Sequence, residues 1–102
     1  MRIFIWCDEE KIKILKEKGL EGLSKEVLAG MRRIEVMLNE NQLERILKLF
    51  PSAKYDKSTT NSIELLPKWF KDMLFNEIVA QGKVDSDIVE RVIRKLEDIK
   101  QS

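Results

Sequence analysis

The 102 residues include no histidine. That excludes a Ser-His-Asp or Cys-His site, a histidine general base and a zinc site with histidine ligands. A single cysteine, Cys7, excludes an internal disulfide, and with it thiolate metal clusters and CxxC redox motifs within one chain. An undisulfided chain of this kind is expected in a reducing, cytoplasmic setting. Only four glycines occur, with no GxGxxG or GxxxxGK[ST] pattern, so the common phosphate cradles are missing. No apolar run approaches the roughly 18 residues of a membrane span. The stretch from Ile3 to Cys7 is too short for a signal-peptide core. An excess of one charge is also lacking. The chain carries 19 basic and 18 acidic residues, so the electrostatic footprint of a nucleic-acid binder is missing at the level of sums.

At 43% hydrophobic and 36% charged residues, the chain has the means to bury one core without a metal or disulfide staple. It is expected to be one domain. Plentiful Lys, Glu and Ile with few Asn and Gln give a thermophile-like composition.

RIFIWC at 2–7 alternates as a strand with both faces apolar, the pattern of a strand covered on both sides. Asp8 follows at an N-cap position, and Glu9 and Glu10 stand where carboxylates meet the positive end of a helix dipole. Gly19 is a stop signal. Ser24 is placed to cap a short helix that ends at Gly30. RIEVML at 33–38 alternates as a second strand, polar on much of one face. Asn39 and Gln42 stand at capping-box spacing, and Leu43, Ile46, Leu47 and Phe50 follow at helical spacing before Pro51. At an offset of 31 residues the two strand–cap–helix units run in phase, as an internal repeat would, although any two strand–helix units would align about as well. Residues 53–66 hold two weaker strand candidates around the polar loop STTN. Pro67 suits the first position of a helix to about Gln81, stopped by Gly82. A second helix from Asp85 or Ser86 runs nearly to the end, with a clean apolar stripe from Ile88 to Ile99.

The expected fold is therefore α/β. It is a small two-layer domain, in which a three- or four-stranded mixed sheet comes from two βα units (strands about 2–7 and 33–38, within 1–51). A weak edge hairpin at 53–66 and an αα-hairpin at 67–101 complete it.

No cofactor motif is present, and three groups of residues are candidates for function. Trp69, Phe75 and Val79 come from a helix apolar nearly all round, which needs either deep burial or a second partner. They suggest a contact surface for another protein or for a second copy in a homodimer. Asp8, Glu9 and Glu40 would meet at one sheet edge if the two units paired in parallel, and would there suit a hard cation and metal-dependent hydrolysis. Arg32, Arg33 and Arg45 are the basic residues that folding could gather for nucleic acid. Asp8 and Glu40 also have plain structural uses at helix starts, and Cys7 is expected to be a buried strand residue rather than a nucleophile. Glu77, amid an apolar arc, needs a basic partner if it is buried, or else stays protonated. The leading expectation is a non-catalytic interaction module.

Overall fold

A computed structural model describes residues 1–28, 30–53, 55–56, 62–63 and 66–101. Strand β1 (Arg2–Cys7) leads into helix α1 (Glu9–Glu17), then a short 3₁₀ turn at Glu21–Leu23. Strands β2 (Lys25–Leu28) and β3 (Met31–Met37) follow, then helix α2 (Glu40–Leu49) and the two-residue strands β4 (Tyr55–Asp56) and β5 (Ser62–Ile63). Helices α3 (Lys68–Gln81) and α4 (Ser86–Gln101) close the described chain.

The sheet order is β2-β3-β1-β5-β4. β1 pairs with β3 antiparallel and with β5 parallel, so the sheet is mixed, as the sequence suggested. The polar loop expected at 58–61 lies outside the described residues.

Local chemistry explains the helix starts. The Lys11 backbone N–H donates to Asp8 Oδ1 at 2.9 Å, which satisfies one of the orphan donors of α1. At α2 the capping box is complete. Gln42 N–H donates to Asn39 Oδ1 at 2.8 Å, and Asn39 N–H donates back to Gln42 Oε1 at 3.2 Å. Gln42 is also the one buried polar side chain among the described residues, and its amide donates to the Ser86 carbonyl at 2.9 Å. One residue thus caps α2 and ties it to the start of α4. Gly82 ends α3 at φ +71°, a left-handed position that glycine takes without a Cβ penalty.

The expected short helix after Ser24 is a strand instead. Lys25 and Glu26 pair with Arg33 and Arg32, and Leu28 with Met31, so β2 and β3 form a hairpin. Gly30 at φ +81° serves the tight connection rather than a helix stop. Ser24 Oγ donates to the Glu21 carbonyl at 2.9 Å and caps no helix.

All four helices pack on one face of the sheet. Ile3, Ile5, Cys7, Ile34 and Val36 point into the same core as Leu15, Ile46, Phe70, Leu74, Ile78 and the α4 stripe from Ile88 to Leu96. Salt bridges link the helices over this core. Arg45 of α2 sits between Glu90 (2.7 Å) and Glu97 of α4, and Lys95 of α4 meets Glu77 of α3. Lys11 of α1 reaches Asp72 of α3 at 3.6 Å.

Candidate functional site: the open face of the sheet

The helix α3 does not supply the surface that its sequence suggested. Phe75 is buried, at 3% exposure, beneath the Lys11 ammonium 5.8 Å from its ring centre. Val79 is half-buried against the core. Trp69 is 51% exposed, and its ring stands edge-on to Phe50 with centroids 5.5 Å apart. The reason is placement. α3 meets α1 through Lys11 and α4 through Glu77 and Lys95, so it is flanked by two other helices. Helix neighbours thus cover most of its apolar surface, while Trp69 stays open.

The carboxylates are not gathered either. Because β1 and β3 run antiparallel, Asp8 and Glu9 follow one end of the sheet and Glu40 follows the other. Six strand residues put them about 20 Å apart. Among the described residues, no group of three His, Cys, Asp or Glu could hold a metal ion. Asp8 caps α1, and the Lys11 N–H on its carboxylate holds its pKa below the ordinary value. Burial pushes the Cys7 thiol up, with the Lys11 charge opposing and Asp8 reinforcing, so the buried thiol favours its protonated form.

The three arginines point to three places. Arg32 turns to the helix side and pairs with Glu21 at 3.3 Å. Arg45 is held by Glu90 and Glu97, whose hydrogen bonds push its own pKa up and lower those of both carboxylates. Arg33 alone stands on the opposite face of the sheet. There its guanidinium lies 4.3 Å from the centre of the Phe4 ring and 3.1 Å from Glu35.

That opposite face is where the structure leaves apolar surface open. Strand alternation sends Arg2, Phe4 and Trp6 of β1 and Met31, Arg33, Glu35 and Met37 of β3 away from the core. No described helix covers them. Trp6 remains 43% exposed, Met31 48% and Met37 58%. Val27 and Leu28 of the edge strand β2 are exposed beside them. Lys25 Nζ reaches Glu35 at 3.9 Å from the same strand. The Arg33 guanidinium stays stacked on Phe4 although its buried Nε has no hydrogen-bond partner. Both-sided apolarity in β1 was visible in the sequence. The second cover it implies is not supplied by any described element.

Residues 1–93 match a family described as being of unknown function (DUF6955), and the chain belongs to that family. No curated protein and no solved structure matches the chain.

Proposed function

We propose that this chain is a non-catalytic protein–protein interaction module whose contact surface is the open face of the sheet. The observation that carries this reading is the placement of Trp6, Met31 and Met37, each 43–58% exposed, on one sheet face that no described helix covers. Large exposed side chains of this kind, interspersed with Arg33 and Glu35 and flanked by Arg2 and Lys25, mark contact sites more often than plain solvent-facing surface. Aromatic, methionine and arginine residues are the types enriched at such contacts. No described helix is long and apolar enough to cross a membrane. In this reading a protein partner supplies the missing cover. A free, buried Cys7 suits a reducing compartment such as the cytoplasm.

A peroxide pulse read by mass spectrometry tests the reading through Met31 and Met37. In dilute pure protein both oxidise fast. In source lysate, or in concentrated pure protein, oxidation is expected to slow at these two residues while Met1 serves as the reference. Equal oxidation rates in all three conditions would refute a contact on this face.

A further inference from the structure

The outward side chains of β3 read Met31, Arg33, Glu35, Met37. Reversing their order exchanges only the two charges. β1 beside it presents Arg2, Phe4 and Trp6, so reversal exchanges one ring for the other. The two patterns share one centre. Ile5 is the register partner of Ile34, with Trp6 opposite Arg33 on one side and Phe4 opposite Glu35 on the other.

From this pattern we infer that the occupant of the open face is a second copy of this chain, stacked sheet on sheet about a two-fold axis that crosses the strands at Ile5 and Ile34. The inference rests on the reading of this face as a contact surface. A two-fold contact needs a patch that complements itself. Under this operation Arg33 faces the partner's Glu35, and Glu35 faces the partner's Arg33. Met31 meets the partner's Met37, and Trp6 meets the partner's Phe4. The centre of this face holds an acid and a base 3.1 Å apart, with Arg2 and Lys25 at its margin.

Size is consistent with the same arrangement. Strands β1 and β3, six and seven residues long, with the four-residue β2 beside them at about 4.8 Å spacing, give a footprint of at most about 14 by 21 Å, on the order of 500 Å² of accessible surface with side-chain relief. Two copies bury about twice that, the lower limit for a specific interface. Facing sheets pack about 10 Å apart with strands within about 30° of alignment. Arg and Glu side chains bridge that gap. The dimer is therefore small and reversible, and it forms as concentration rises.

Sedimentation equilibrium from about 1 μM to about 500 μM tests the arrangement through charge reversal. The wild type is expected to pass from monomer to dimer. R33E and E35R each set like charges face to face and are expected to weaken dimerisation at least tenfold. Mixing the two single variants is expected to restore a dimer, because each reversed charge then meets its opposite. The double variant R33E/E35R is expected to self-associate again. If either single variant does not fold by circular dichroism, Met37→Lys takes its place, with the same tenfold weakening expected.

A wild type that stays monomeric across the range overturns the inference. So does a wild-type dimer indifferent to R33E and E35R, or single variants that fail to restore each other on mixing. Met31 and Met37 slowed only in lysate, with a monomeric pure protein, would remove the second copy and leave the contact surface standing.

Discussion

Replacing Phe75 by Ala tests directly whether α3 is enclosed by its own chain. The ring is 3% exposed and belongs to the same core as Leu74 and Ile78. Truncating a buried phenylalanine costs about 3–5 kcal/mol, the lost transfer energy plus the cavity left behind. A domain of this size has about 5–15 kcal/mol in total, so a large share of its stability would go. At about 4 °C or more per kcal/mol, the melting temperature should fall by at least roughly 12 °C. Trp69→Ala provides the internal comparison. Half of that ring is already in solvent, and the remainder touches Phe50 edge-on, so about 1–2 kcal/mol is expected. Urea titrations followed by far-UV circular dichroism measure both. A cost below about 1 kcal/mol for Phe75→Ala, or one smaller than for Trp69→Ala, would put Phe75 at the surface and refute the enclosure of α3.

Three further outcomes are expected. Gly30→Ala should cost about 1–2 kcal/mol through its φ of +81° alone, because an added Cβ there meets no atom within 4 Å; thermal melts would show it, and an unchanged melting point would contradict the turn. Glu90 and Glu97 have lowered pKa values in the folded state, held first by their hydrogen bonds to Arg45. The stability they contribute is complete above the ordinary carboxylate value of about 4.3 and is lost as pH falls through the lower folded values. Arg45→Gln should flatten the acid limb of a urea-midpoint profile, and an unaltered profile would refute the linkage. Cys7, buried and with its pKa raised, should react with thiol reagents only through opening of the fold, so labelling should accelerate with urea. Labelling at the free-thiol rate in native buffer would contradict its burial.

Elements defined by local chemistry were legible in the sequence. The capping box at Asn39 and Gln42, the stripe of α4 and the glycine after α3 each pair a side-chain requirement with a position a few residues away. Elements defined by their neighbours were not. Lys25–Leu28 holds too few residues for period two to stand apart from a helical turn, and Gly30 with positive φ serves a helix stop and a hairpin equally well. Strand direction has no local signature. The two strand–helix units run in phase whether they pair parallel or antiparallel, and the antiparallel register is what separates Asp8 and Glu9 from Glu40. Phe75 and Trp6 show the same limit from opposite sides. Each is an apolar residue that needs cover. α3 finds it from α1 and α4, while the outer face of β1 has no described helix above it. The sequence shows the demand for cover, and only the packing shows where it goes unmet.

Small-angle X-ray scattering over a concentration series puts the central claim to the most direct test. For a lone chain, forward scattering gives a mass of 12.0 kDa, and the Cα radius of gyration is 13.7 Å. The wild type should climb from that mass toward twice its value, with a rising radius, while E35R stays near the single-chain values at the same concentrations. A wild-type mass fixed at 12.0 kDa throughout the series would contradict the pairing of two open sheet faces.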